Sequence, residues 1–316
     1  MSKLACIFPG QGSQTVGMGK DLSEKFPEAR KLFAEIDEIA GRSLSQLCFE
    51  GPDTELKCTV NTQPTILAMS MVAWRCYELE GGPKPSFAAG HSLGEFSALY
   101  AASAFDLDAA VKLVNKRAQL MEACPKGAMS AVIGMAADKL EEIAKEVSRQ
   151  MGEPKVVIVA NFNTKEQLVI SGDPDAVTEA GLRAKAGGAK VIPLPVGGAF
   201  HSPLMKAAAD EFEVLVKTID IHDAAFPVVQ NVDAKSETKG DLLKEKLSRQ
   251  MPSSVRWCET IEYMLSQGVD TFVEIGPGKA LAGMVKKIDR QAKVFNIYDA
   301  QTLEETLTAL KQTATV

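Results

Sequence analysis

Only three histidines, His91, His201 and His222, occur among the 316 residues, so chemistry that needs an imidazole has few places to find one. Long apolar runs are missing: none approaches the roughly 20 residues that a membrane-spanning helix requires. Positive charge is in deficit, with 35 Lys and Arg against 41 Asp and Glu. A net charge of -6 argues against non-specific nucleic-acid binding and leaves any basic docking patch to be local. The six cysteines include no C-x-x-C pair. An even count permits disulfides, but a chain with so large a core does not need them, and the thiols read as reduced, mostly core residues of a cytoplasmic protein. None has the neighbouring signature of a catalytic cysteine. The opening stretch, Met1 to Gly10, is too short in apolar residues for a signal peptide and is better used as a first buried strand. No internal repeat or low-complexity segment is present. With 46% hydrophobic and 24% charged residues, the composition is that of a soluble globular protein long enough for two domains, or for one large domain with an insertion.

What is there centres on the stretch from Phe87 to Glu95, FAAGHSLGE. Small apolar residues lead to Gly90 as a strand would, and the residues after Gly94 continue at helical spacing. Ser92 between Gly90 and Gly94 therefore fits G-x-S-x-G in strand-turn-helix context, which holds a serine on a sharp turn where flanking side chains would collide. Its hydroxyl would project at a helix N-terminus that favours developing negative charge. Taken alone, the pentapeptide is equally a tight turn with Ser92 as an N-cap.

Upstream, a short apolar run from Leu4 to Phe8 ends in the glycine-rich turn Pro9 to Gln14. The turn lacks the lysine of a P-loop and the third glycine of a dinucleotide fingerprint. Backbone N–H groups aimed at an oxyanion beside a serine elbow fit it better, with a plain strand-to-loop turn as the other reading. Residues 21–47 follow helical spacing, 59–64 read as a loop, and 65–79 as a buried helix apolar nearly all round. A helix over 107–122 carries Arg117 on or beside its apolar stripe, where a guanidinium needs an anionic partner. A structural salt bridge, or a side chain reaching past the stripe, would serve as well.

From residue 128 the texture changes to strand (128–135), helix (138–151), strand (156–161), strand (167–171), helix (175–186) and strand (189–195). This βαββαβ order is the ferredoxin-like arrangement. It predicts an inserted small domain over 128–197, with 1–127 and 198–316 forming one discontinuous α/β domain. Strands are expected at 226–231, 269–275 and 294–297, and helices at 203–216, 241–250 and 257–266.

A serine hydroxyl needs a base within hydrogen-bond reach. His91 precedes Ser92 and leaves the chain in another direction, and His222 lies between two acids in an exposed connection. His201 sits in a Gly-rich turn at the junction of the two domains, where a cleft would form, and is assigned the base. An ordinary α/β-hydrolase carries its histidine late, after an acid. No histidine follows His222, which weakens a generic esterase reading.

Taken together and in order, PGQGSQ (9–14), Gln63-Pro64, GHSLGE (90–95), Arg117, AFHS (199–202), Gln250 and EIGPG (274–278) resemble the malonyl-CoA:acyl-carrier-protein transacylases of fatty acid synthesis. The resemblance implies an α/β-hydrolase-like large domain with a ferredoxin-like insert and a Ser92-His201 dyad. It implies that the Gln250 main-chain carbonyl orients His201, that the amides of Gln11 and Leu93 form the oxyanion hole, and that Arg117 pairs with the malonyl carboxylate. Gln63 would line the same pocket, although Pro64-Thr65 departs from the more usual Pro-Ala. Phe200 resembles the residue that crowds the malonyl α-carbon; packing between the domains is its other reading. The substrates implied are malonyl-CoA and the phosphopantetheine thiol of acyl carrier protein, with no bound cofactor or metal, and the family resemblance suggests a monomer. An acidic carrier calls for a local basic patch near the cleft mouth, with Lys190 and Lys286 as candidates. A hydrolase or thioesterase, a pocket without turnover, and an acyltransferase serving a polyketide synthase are the competing readings.

Overall fold

The computed structural model describes residues 3–314. Among them lie ten strands: β1 (Lys3–Phe8), β2 (Phe87–Gly90), β3 (Ala128–Ile133), β4 (Val157–Thr164), β5 (Gln167–Gly172), β6 (Lys190–Pro193), β7 (Val228–Val229), β8 (Ser236–Glu237), β9 (Val269–Ile275) and β10 (Lys293–Ile297). The larger sheet has the order β10-β9-β1-β2-β7-β8, parallel except at the β7-β8 edge. A parallel sheet is covered on both faces, so its strands read as near-continuous apolar runs. In β1 the alternation divides the core: Cys6 and Phe8 join one cluster, Ala5 and Ile7 the other.

The first of those faces is covered by the helix Thr59–Leu79, most of whose residues are buried. It begins six residues before the sequence reading placed it, and the expected loop at 59–64 is helical despite Pro64. Proline cannot donate to the carbonyl four residues back. Here that carbonyl, Val60 O, accepts instead from Arg42 Nη2 at 2.7 Å, while Arg42 Nη1 donates to Asn61 Oδ1 at 2.5 Å. A tertiary cation thus takes the place of the missing helix bond.

The smaller sheet is wholly antiparallel with order β4-β5-β3-β6, the ferredoxin-like pairing of a βαββαβ chain. The helices Ala137–Met151 and Pro174–Ala186 pack on it around a separate apolar cluster that includes Leu140, Val159, Ile170 and Val177. The fold is mixed α/β, a large parallel-sheet unit carrying a smaller antiparallel one. Backbone bonds from Phe162 N to Val255 O (2.9 Å) and from Val255 N to Ala160 O (2.8 Å) stitch β4 to the large unit.

The strand expected over 226–231 shrinks to the two residues of β7. Pro227 has no N–H to give a ladder, and a turn closed by Ala234 N to Gln230 O (3.0 Å) carries Asn231 out of the sheet. Conversely β4 runs past Asn161 to Thr164. The helix Ala280–Ile288, not anticipated after the Gly-Pro-Gly turn, is capped by Glu274, which accepts from Leu281 N (3.2 Å) and Ala282 N (2.8 Å). No helix among the described residues is long and apolar enough to cross a membrane.

Candidate active site

The elbow is built from close backbone approaches. A Cβ on Gly90 would lie 1.9 Å from the carbonyl of Gly94, and one on Gly94 would lie 2.1 Å from Phe8 O. Neither position can hold a side chain, because β2, β1 and the helix Gly94–Ala101 meet there. Between them Ser92 adopts φ 51°, a left-handed conformation that a non-glycine residue rarely takes.

Ser92 Oγ stands 2.6 Å from His201 Nε2. The imidazole is buried, and its Nδ1 faces two main-chain carbonyls, Ser253 O at 3.0 Å and Gln250 O at 3.3 Å. An Nδ1–H donated to those carbonyls leaves the Nε2 lone pair toward the serine. The resemblance pointed to the Gln250 carbonyl; the Ser253 carbonyl, which the sequence did not single out, is the nearer. Burial, then the Arg117 charge and His91, push the His201 pKa down to about 3. The ring is a neutral base.

Arg117 reaches the same point from the helix Leu107–Glu122, 1% exposed. Its Nη2 donates to Ser92 Oγ and to Gln250 Oε1, both at 3.0 Å, and its Nη1 donates to Gln63 Oε1 at 2.5 Å. Nε is buried without a partner. Sequence spacing called for an anion, yet among the described residues no carboxylate forms a salt bridge with Arg117, and its direct partners are neutral oxygens. Burial lowers its pKa to about 10, opposed by the field of Glu95, so the guanidinium stays charged at neutral pH.

Beside this cluster lies a cavity of about 200 Å³ whose lining includes Gln11, Ser92, Met121, Asn161, Phe200 and His201. Gln63, Leu93, Arg117 and Gln250 sit behind its wall, and Arg117 acts on it through the contact with Ser92. The Ser92 N–H is taken by Asn231 Oδ1 at 2.7 Å. Neither Gln11 N–H nor Leu93 N–H donates a hydrogen bond among the described residues. Phe200, 6% exposed, presses its ring on the Gly198 backbone, where a Cβ would fall 2.4 Å away. A wider cleft of about 520 Å³, bounded by Glu28, Arg75, Ser103 and His222, shares none of its lining with the elbow cavity, and no hydrogen bond joins Ser103 to His222 among the described residues.

The other histidines are elsewhere. His91 Nε2 pairs with Asn163 Oδ1 at 2.8 Å, and His222 is on the surface. Among the described residues no group of three or more metal-ligating side chains occurs. Sequence reasoning missed Ser253 and Asn231 and gave Glu95 no role of its own. Nothing in their local sequence marks them, since Ser253 contributes a main-chain oxygen and Asn231 acts across 139 residues.

A serine on a strained elbow, a buried neutral imidazole and a cation beside the hydroxyl make a candidate acyl-transfer site of the serine type. The acyl transferase domain family matches residues 5–306. The malonyl CoA-acyl carrier protein transacylase of Bacillus subtilis is 46% identical over 316 residues, 99% of this chain and 98% of that protein. A crystal structure of an acyl carrier protein S-malonyltransferase from Vibrio cholerae superimposes with a TM-score of 0.92 at 40% identity, covering 96% of this chain and 100% of that one. A malonyl-transacylase solved in complex with a type II polyketide synthase acyl-carrier protein gives 0.93 at 40% identity, covering 98% and 100%. The chain belongs to the malonyl CoA-acyl carrier protein transacylase family.

Proposed function

We propose that this enzyme moves the malonyl group from malonyl-CoA to the phosphopantetheine thiol of acyl carrier protein, through a malonyl ester on Ser92, in fatty acid synthesis. Family membership supports the overall reaction, and the observation that carries the chemistry is the meeting of His201 Nε2 and Arg117 Nη2 on Ser92 Oγ.

His201 Nε2 takes the hydroxyl proton as Ser92 Oγ attacks the thioester carbonyl. The tetrahedral oxyanion is held by the N–H groups of Gln11 and Leu93. Collapse breaks the C–S bond, and His201 returns the proton to the departing CoA sulfur. In the second half, the carrier thiol gives its proton to His201, attacks the Ser92 ester, and Ser92 leaves protonated by the same imidazole. A thioester is exchanged for a thioester, so the reaction needs no ATP, cofactor or metal.

Arg117 selects the acyl group. The malonyl carboxylate supplies the anion that its guanidinium lacks, through a bidentate pair that displaces present contacts. Acetyl-CoA leaves that buried charge unpaired and is a poor donor. Phe200 fills the space where an α-methyl would go and disfavours methylmalonyl-CoA. His201 is kept in register by the Ser253 and Gln250 carbonyls, which orient the ring without adding the charge of a triad acid.

Brief exposure to malonyl-CoA without carrier, followed by product analysis, separates transfer from hydrolysis. The expected product is a stable malonyl-protein, discharged on adding carrier protein; rapid release of free malonate would favour a thioesterase instead.

A further inference from the structure

Two buried polar groups beside the elbow have no part in the mechanism above. Asn231, 1% exposed, uses both ends of its side-chain amide on the backbone that flanks His91. Its Oδ1 accepts the Ser92 N–H and its Nδ2 donates to Gly90 O, each at 2.7 Å. Its own N–H donates to Glu95 Oε2 at 2.7 Å, and Glu95 is fully buried as the second residue of the elbow helix. The result is a closed clasp around the turn: Gly90 and Ser92 are gripped by Asn231, and Asn231 is gripped by Glu95.

A left-handed non-glycine residue is strained and persists only where its surroundings hold it. The clasp meets that requirement at Ser92. It also removes the Ser92 N–H from the acyl site, leaving Leu93 as the elbow's free amide. Resting on the acyl-transfer reading above, we propose that Asn231, anchored by Glu95, is a positioning residue that holds Ser92 Oγ against His201 Nε2 and reserves the Leu93 N–H for the oxyanion. An amide is the group that serves, because it offers an acceptor and a donor in one plane; aspartate loses the donor and leucine loses both.

Single-turnover acylation by malonyl-CoA, read by quench and intact-protein mass spectrometry, tests this. In Asn231→Leu the acylation rate constant is expected to fall at least about tenfold, with half-saturation by malonyl-CoA changing less than about threefold, since the loss is in the transition state. Asn231→Asp is expected to be slow at pH 8 and to recover toward wild type as the pH is lowered, because a protonated carboxyl can again donate to Gly90 O. It carries the test if the leucine variant does not fold. A role confined to packing would lower the melting temperature and leave both readouts unmoved. A folded Asn231→Leu that acylates at the wild-type rate, or an Asn231→Asp profile parallel to wild type, would overturn the proposal. The same comparison with phenylmethanesulfonyl fluoride needs only the Ser92 nucleophile. Wild type that reacts with the fluoride but not with malonyl-CoA would therefore indict the acyl-transfer reading and not the clasp.

Discussion

A buried imidazole next to a guanidinium cannot hold a proton at neutral pH, so His201 meets Ser92 as a free base. Burial comes first among the causes and the Arg117 charge second, and both act in the same direction. The expected outcome is an ¹⁵N spectrum in which His201 remains the neutral Nδ1–H tautomer from pH 8 down to 5; protonation with a midpoint near the ordinary histidine value of about 6.5 would contradict it. Arg117 is the second residue with a decisive charge. It faces oxygens of Gln63, Gln250 and Ser92, and in the proposed reaction a malonyl carboxylate completes it. Arg117→Ala should cut the preference for malonyl-CoA over acetyl-CoA by at least about 2 kcal/mol, the scale for breaking a buried charge pair, as measured by competition. Phe200→Ser should raise use of methylmalonyl-CoA relative to malonyl-CoA in the same assay. That Ser92, His201 and Arg117 come together was legible because each stands out locally: a glycine-flanked serine, one of three imidazoles, a cation on an apolar stripe. Asn231 and Ser253 were not, because a turn delivers them and one of them works through its main chain.

At the level of elements, short-range periodicity carried most of what could be read. The βαββαβ segment has alternation and helical spacing within each piece, and its elements fall within a few residues of their expected places. Readings failed where a distant group changed the local rule. Pro64 looks like the end of a loop until Arg42 is brought to Val60 O, and the β7 run looks like six residues of strand until the turn at Gln230 ends it. The first of these makes a prediction. Arg42→Ala leaves Val60 O without that partner and should cost about 1–3 kcal/mol in urea unfolding. In a Pro64→Ala background the restored N–H can reach Val60 O, and the same substitution should cost less. Equal costs in both backgrounds would show that the cation does not replace the helix bond.

For the whole molecule, the site exists because a parallel sheet and an antiparallel one are joined at Val255 and close a cleft over the elbow. Burying titratable groups in that seam sets an acid and an alkaline limit on stability. His201, whose folded pKa is depressed to about 3, stays neutral while the unfolded chain takes up a proton, so its contribution falls as pH drops below about 6.5. Glu95 runs the other way. Burial raises its pKa to about 7, against the lowering effects of Asn231, Gln250 and Arg117. Its contribution is therefore full below the ordinary carboxylate value and is lost as pH rises through 7. Glu95→Gln keeps an acceptor for Asn231 N–H and should gain stability relative to wild type between pH 5 and pH 8, read from urea midpoints. The catalytic predictions depend on one claim, that Ser92 carries the acyl group between two thiols under the control of His201 and Arg117. Intact-protein mass spectrometry after brief exposure to malonyl-CoA, then to carrier protein, tests it most directly. One malonyl group is expected on Ser92, absent in Ser92→Ala and passed on to the carrier; a malonyl adduct on the Ser92→Ala protein, or transfer with no adduct at all, would contradict that role.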